Sequence, residues 1–200
     1  MTTTPNLGAE CPVCGAEGIQ WKEVKRYHYT ESGLDNVWLF GGVRMTACAV
    51  CHEELTYIEQ EFQLLQVIAI ALLNKDALLT GPETRFLREA AHLTQEELAS
   101  LLRLSRQPTI SDRERRREPV MGYAEDLGFR ILIMNQFVDF LRKNQDECFL
   151  AAAHWPMLTK LAGVLSARAD TLSARRPRKT LRLLKSDSTW WISDTLPAAA

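Results

Sequence analysis

Four of the five cysteines in this chain form two matching pairs whose spacing suits a metal ion. The pairs are Cys11-Pro-Val-Cys14 and Cys48-Ala-Val-Cys51. Each C-x-x-C turn can direct two thiolates at one point, and two such turns complete the tetrahedral sulfur shell that Zn²⁺ prefers. The alternatives are a redox dithiol, which needs only one pair, and structural disulfides, which are rare in cytosolic proteins. We predict structural zinc, with Cys11, Cys14, Cys48 and Cys51 as ligands.

The remaining candidate ligands and nucleophiles point to no further chemistry. Cys148 falls in a helical stretch and is predicted to be a buried small apolar residue. His52, next to Cys51, is an alternative ligand, but four thiolates already close the shell. The sequence offers neither a glutamate base beside an open metal position nor a constellation that activates a nucleophile. We therefore expect a protein that is not an enzyme.

The two C-x-x-C turns, Cys11–Cys14 and Cys48–Cys51, are called the two knuckles below. The segment between them must bring them together. It contains 33 residues, and its stretch 18–29 is rich in the aromatic and β-branched residues typical of strands. Val37–Phe40, the pair Gly41-Gly42 and Val43–Thr46 predict a hairpin with a glycine turn. About sixty residues build too small a core on their own, so metal binding would supply part of the folding free energy.

A second candidate site lies at residues 86–119. Apolar residues recur there at three- and four-residue steps, and Thr94 with Glu97 forms a capping box that starts a new helix. Three short helices in about thirty residues, the last ending in a run of arginines, suggest a helix-turn-helix DNA reader. The predicted DNA contacts are Gln95, Ser105, Arg106, Gln107, Thr109, Ser111, Asp112, Arg113, Arg115 and Arg117.

These residues resemble known families. Thr94–Ala99, Leu104–Gln107, Thr109–Ser111 and Glu114 are similar to the landmarks of the lambda-repressor-like (Xre-type) domains. The stretches 29–39 and 79–88, together with both knuckles, resemble the YgiT-type (MqsA-type) zinc-finger/helix-turn-helix proteins over roughly residues 9–140. That resemblance implies a dimeric DNA-binding regulator. Some members are antitoxins whose zinc domain binds a toxin while the helix-turn-helix represses their own operon.

The recognition element departs from the pattern of the resembled family at four residues. Arg103 stands where the turn normally has glycine, which costs roughly 1 kcal/mol in a left-handed backbone. Pro108 is one residue extra and should start the recognition helix, which would then run to about Arg115. With Ile110 facing inward, Asp112 faces outward where the family commonly has an arginine that contacts DNA. Arg113 replaces a packing tryptophan.

Charge favours contacts with DNA phosphates over contacts with bases. The formal net charge of −1 conceals a block of +4 from Arg103 to Arg117 and a block of +6 from Arg168 to Lys185. Gln95, at the start of its helix, is well placed for a phosphate. The resemblance also implies that Arg88 and Glu114 pair inside the domain; the alternative is two separate surface charges.

The whole chain is predicted to be an α+β protein. A zinc-binding β module (1–58) precedes a linker helix (59–79), a helix-turn-helix domain (80–145), extra helices (146–170) and a basic flexible tail (171–200). The linker region 59–75 is apolar on nearly all sides and should be buried, and 123–143 should be helical and form a dimer interface. We expect a homodimer that binds a palindromic double-stranded operator as a repressor of its own operon. The alternative is an antitoxin that holds a toxin through the zinc module. No apolar run is long enough to cross a bilayer, so we expect a cytoplasmic protein without membrane contact.

Overall fold

The protein combines two β-sheets with a set of helices, which confirms the α+β class. The computed structural model describes residues 10–103, 108–143, 180–186 and 189–192. The strands are β1 (Lys22–Val24), β2 (Tyr27–His28), β3 (Val37–Phe40), β4 (Val43–Ala47), β5 (Glu54–Ile58), β6 (Leu181–Ser186) and β7 (Thr189–Ile192). The α-helices are α1 (Glu61–Leu73), α2 (Gly81–Ala90), α3 (Gln95–Leu101), α4 (Pro108–Arg115) and α5 (Tyr123–Lys143). Cys148 and the predicted extra helices at 146–170 lie outside the described residues.

The predicted glycine hairpin is wrong, although both of its strands exist. β3 has the expected bounds and β4 is one residue longer than expected, but β4 pairs with β1 and β5 in one antiparallel sheet. β3 lies in a second sheet of order β2-β3-β6-β7, in which it pairs in parallel with β6. Gly41 and Gly42 carry the chain from one sheet to the other with φ values of 77° and 67°. A Cβ on Gly42 would lie 2.9 Å from Lys185 Cγ and 3.0 Å from Trp190 Cζ2, so the C-terminal strands need this glycine.

Part of the predicted flexible tail is ordered. Strands β6 and β7 form an antiparallel hairpin that supplies half of the second sheet. Trp190 is fully buried, and its indole N–H donates to the Glu59 carbonyl over 2.8 Å. The basic composition of 171–200 as a whole suggested disorder. It obscured two short segments, LRLLKS and TWWI, whose apolar and aromatic residues favour strands. The rest of that tail lies outside the described residues.

Helix α1 is the centre of the core, as its nearly uniform apolar surface predicted. Leu64, Ile68 and Leu72 are almost wholly buried, and the helix contacts both α2 and β7. Because its two sides face different neighbours, it has no polar side that must reach water. No helix among the described residues has the length and apolar composition needed to cross a membrane.

Helices α3 and α4 begin where the sequence predicted, and α2 begins at a second capping box. Thr80 with Glu83 and Thr94 with Glu97 form complete capping boxes at the N-termini of α2 and α3. The Arg103 backbone is left-handed, with φ of 52°, in the turn that precedes the undescribed residues 104–107. Helix α4 starts at Pro108 and ends at Arg115, matching the predicted bounds.

A buried ion pair on α5 holds the end of α1. Asp126 and Arg130 are at most 1% exposed and lie 2.6 Å apart. The Arg130 guanidinium donates to four carbonyl groups at and beyond the end of α1, those of Leu72, Leu73, Lys75 and Ala77. The Asp126 carboxylate accepts from the Leu79 N–H over 2.7 Å. These bonds satisfy carbonyl groups that a helix end otherwise leaves without partners.

Candidate metal centre and helical surface

The two cysteine pairs converge on one point. Their four sulfur atoms all lie within 4.8 Å of one another, with 3.7 Å between Cys11 and Cys51 and 3.6 Å between Cys14 and Cys48. Four thiolates at about 2.3 Å from a central ion stand about 3.8 Å apart in a tetrahedron. The spacing therefore suits one tetrahedral metal ion. It is far longer than the roughly 2 Å of a disulfide, and a single redox dithiol would not need four converging thiols.

The two knuckles have the same backbone design. In the first, the Gly15 N–H donates to the Cys11 carbonyl over 2.8 Å; in the second, the His52 N–H donates to the Cys48 carbonyl over 3.0 Å. Both closing residues are left-handed, with φ of 72° at Gly15 and 60° at His52. His52 therefore occupies the position that glycine holds in the first knuckle. Its ring is not part of the sulfur cluster.

The thiols strongly influence one another's ionisation. Backbone N–H groups of Cys51 and Val50 lower the pKa of Cys48 to about 6. The backbone at Glu53 also lowers the pKa of Cys51, but desolvation and the three neighbouring sulfurs outweigh it and raise this pKa to about 12. Four thiolates so close together repel one another, and a bound cation would remove that repulsion.

A buried ion pair connects α2 to α4, as the family resemblance implied. Arg88 Nε lies 2.6 Å from Glu114 Oε1 and its Nη2 lies 3.1 Å from Oε2, so the pair is bidentate. Arg88 is 7% exposed and Glu114 is 6% exposed, which excludes two separate surface charges. The remaining donors of Arg88 reach the Leu93 carbonyl over 2.8 Å and Glu89 over 3.2 Å. This network holds α4 against the helices before it.

Gln95 and Ser111 lie beside this pair. The Gln95 side-chain amide donates to Glu114 Oε2 over 2.8 Å, so it is bonded within the protein in this structure. Gln95, Ser111 and Arg115 all line one open cleft of about 350 Å³. The structure thus brings three of the predicted DNA contacts to one surface, where α3 begins and α4 is exposed.

Three of the arginines at and just after the end of α4 have an acidic neighbour. Arg113 Nη1 lies 2.5 Å from Glu125 of α5, and only 21% of the Arg113 side chain is exposed. Arg115 is 3.4 Å from Asp112, and both side chains are largely exposed. The exposed Arg117 is 3.5 Å from Asp35 of the loop before β3.

The other predicted DNA contacts are only partly described. Ile110 faces inward, being 2% exposed, and Asp112 faces outward, as the helical period predicted. Ser105, Arg106 and Gln107 lie outside the described residues, and the side chain of Thr109 is not described. The DNA-contact assignments therefore stay predictions.

Asp126 and Arg130, which hold the chain at the end of α1, were not predicted from the sequence. Their spacing in the sequence nevertheless indicates a buried pair. A carboxylate and a guanidinium four residues apart lie on the side of α5 that also carries the buried Ile133 and Phe137. Charged residues on an otherwise buried stripe indicate an internal pair, since an isolated buried charge is too costly.

Comparison with known proteins identifies no relative. No model of a known protein family, no curated protein and no solved structure matches this chain.

Proposed function

We propose that this protein is a DNA-binding transcriptional regulator whose α2, α3 and α4 form a helix-turn-helix. The observation that carries the proposal is the bidentate Arg88–Glu114 pair. It holds α4 against α2 with the buried Ile110 turned inward and the side chains of Asp112 and Arg115 turned to solvent. A recognition helix needs this arrangement, because it must be rigidly supported while one side stays open to the major groove.

Phosphate contacts would supply most of the affinity. Arg115, Arg116 and Arg117 are exposed at the C-terminal end of α4. The ion pairs of Arg115 with Asp112 and of Arg117 with Asp35 are long and solvent-exposed, so exchanging them for phosphate contacts costs little. Asp112 would repel phosphates and favours a cytosine amino group as its partner.

The proposed regulator is a homodimer on a palindromic operator, acting as a repressor of its own operon. Two recognition helices one DNA turn apart require a two-fold contact between copies. Helix α5 offers apolar surface for that contact, because Ile131 is 41% exposed.

The proposed ion in the cysteine centre is structural Zn²⁺. Four thiolates leave no open coordination position, so the ion would stabilise the fold and would not act on a substrate. The residues that would hold it are Cys11, Cys14, Cys48 and Cys51.

The test is a mobility-shift assay on DNA from the promoter of the protein's own gene, over a range of salt concentrations. The double variant Arg115→Gln/Arg116→Gln should bind more weakly, and the slope of log affinity against log salt should fall by about 2, since each lost phosphate contact removes about 0.9. Lys22→Gln/Lys25→Gln is the matched control, because it removes two exposed charges from the N-terminal module. Equal binding by all three proteins, or no binding at all, would refute the proposal.

The second candidate function is an antitoxin that holds a toxin through the zinc module. One observation favours it: the two knuckles expose Val13 and Val50, at 62% and 68%, next to the metal ligands. Exposed apolar side chains on a rigid support suit a protein contact.

A copurification experiment distinguishes this candidate. The full chain should retain a small protein encoded by a neighbouring gene, and Val13→Ser/Val50→Ser should lose it while still binding metal and DNA. Protection of cells from that neighbour should be lost in the same variant. Failure of the unmodified chain to protect would eliminate the antitoxin function and leave the DNA-binding proposal intact.

A further inference from the structure

An aromatic cleft lies where the N-terminal module meets the helices. It has a volume of about 280 Å³, and its lining includes the rings of Tyr29, Phe62, Phe86 and Phe137. Tyr29, Phe86 and Phe137 are at most 6% exposed, whereas Phe62 is 46% exposed. The cleft therefore combines buried aromatic walls with an exposed aromatic side chain. Its volume is close to the lower end of small-molecule pockets, about 300 Å³.

The charged groups of this cleft are acidic. Neither lysine nor arginine is among its described lining residues, which include Glu31, Glu89 and His92. Arg85 and Arg88 already neutralise Glu89, at 2.8 and 3.2 Å. The Glu31 carboxylate accepts hydrogen bonds from the hydroxyls of Tyr27 and Thr30 and has no cationic partner among the described residues.

A further carboxylate, that of Glu61, is hydrogen-bonded to Tyr29 in the wall of the cleft. The Tyr29 hydroxyl donates to Glu61 Oε1 over 2.7 Å, and Glu61 likewise lacks a cationic partner within the described part of the chain. Burial raises the pKa of Tyr29, and the hydrogen bond to Glu61 and the charges of Glu61 and Glu31 raise it further. The electrostatic potential at this wall is thus negative.

We propose that this cleft binds a small organic cation with an apolar body, such as a quaternary ammonium compound. Aromatic rings attract a cation through their negative faces, and desolvated contacts of this kind are the strongest. The Glu31 carboxylate supplies the opposite charge, and the apolar walls cover the alkyl or aryl groups of the ligand. A neutral ligand would gain the apolar contacts alone, and an anion would be repelled.

The site is independent of the proposed DNA-binding function. Its residues belong to the segment before β3, to α1, to α2, to the turn after α2 and to α5, and none of them is a predicted DNA contact. Ligand binding is therefore measured on the full chain without DNA, so failure of one proposal leaves the other standing.

The experiment is calorimetric titration of the metal-loaded full chain with benzyltrimethylammonium. Choline and its uncharged isostere 3,3-dimethylbutan-1-ol are compared in parallel, because they differ in charge at nearly constant shape. We expect saturable binding of the benzyl compound, and choline to bind at least about 5-fold more tightly than the isostere, since a cation–π contact is worth about 1 kcal/mol or more.

Two variants locate the binding. Glu31→Gln should weaken binding of the ammonium compounds about 5- to 10-fold and leave the alcohol unchanged, while Glu23→Gln, an exposed carboxylate on β1, should change neither. Ala90→Phe fills the cleft and should abolish binding of every probe. Unchanged metal content and circular dichroism verify that the variants are folded.

Three results would overturn the proposal. The first is equal affinity for choline and its isostere. The second is full binding by Glu31→Gln or by Ala90→Phe. The third is no saturation of the unmodified protein by any ammonium probe up to about 10 mM, a concentration that would detect even millimolar affinity. If no probe saturates the unmodified protein and Ala90→Phe has a lower oligomeric mass than that protein, the cleft is an interface between copies of the chain.

Discussion

The Arg88–Glu114 pair gives the sharpest test of how α4 is held. Replacing Glu114 by leucine leaves the Arg88 guanidinium at a site that is 7% exposed, with only the Leu93 carbonyl and Glu89 as partners. Replacing Arg88 by methionine leaves the Glu114 carboxylate at a site that is 6% exposed, with only the Gln95 amide. Each change leaves a charge at a largely buried site with fewer partners.

The expected loss is large for each single variant and not additive for the double variant. Removing one partner of a buried pair typically lowers the free energy of unfolding by about 3–5 kcal/mol, whereas replacing both by apolar residues is often close to neutral. Arg88→Met and Glu114→Leu should each fall in that range. The double variant should be more stable than either single variant, which requires a coupling energy larger than one single loss, about 3 kcal/mol or more. Since domains have only about 5–15 kcal/mol of stability, either single variant would be visibly destabilised.

The assay is urea unfolding of the metal-loaded proteins, followed by circular dichroism, in a double-mutant cycle. Arg85→Gln is the control, because it breaks an exposed pair of similar length, 2.8 Å to Glu89, with 63% of the Arg85 side chain exposed. It should cost less than about 0.5 kcal/mol. Single losses below about 1 kcal/mol, or strictly additive losses, would refute the claim that this buried pair holds α4 in place.

Three further predictions concern the metal centre, a helix start and a close approach. Cys48→Ser should lose tight metal binding and lower the melting temperature, and metal affinity of the unmodified chain should fall on acidification because protons compete for the thiolates; equilibrium dialysis measures both. Thr94→Ala should lower the free energy of unfolding by about 1 kcal/mol. The backbone N–H and the hydroxyl of Thr94 donate to Glu97 and lower its pKa. The contribution of this carboxylate to the cap is therefore fully present above the ordinary glutamate pKa of about 4.3 and is lost as the pH falls through the lower folded-state value, a trend that urea unfolding over a series of pH values would detect. Gly81→Ala should destabilise by about 2 kcal/mol or more, since its Cβ would lie 2.3 Å from two carbonyl oxygens, whereas Gly128→Ala in α5 meets no atom within 4 Å and should stabilise slightly.

Local signals predicted the elements well. The capping box at Thr94 and Glu97 predicted the N-terminus of α3, and Pro108 predicted the start of α4, because each signal acts through backbone groups within a few residues. The C-x-x-C spacing predicted which four cysteines would meet for the same reason. The two knuckles close with equivalent hydrogen bonds whatever lies between them.

Pairing between distant strands was not predictable in this way. The glycine pair between β3 and β4 suits a hairpin, yet each strand found partners elsewhere. Hairpin signals report only what the turn permits, and the choice among strand partners depends on which faces can be buried together. Burial of Trp190 favours the observed pairing of β3 with β6 over a β3–β4 hairpin, because Trp190 is fully buried in β7, which packs against α1.

The sequence by itself determined the α+β composition, the four converging cysteines, the helix starts and the inward-facing Ile110, because spacing and capping act over a few residues. Only the tertiary structure decided the rest. It placed the C-terminal strands in the second sheet, paired Arg113 with Glu125 and set Asp126 and Arg130 against the end of α1. The sequence shows which side chains carry a charge, but burial decides which distant partners come within hydrogen-bond distance.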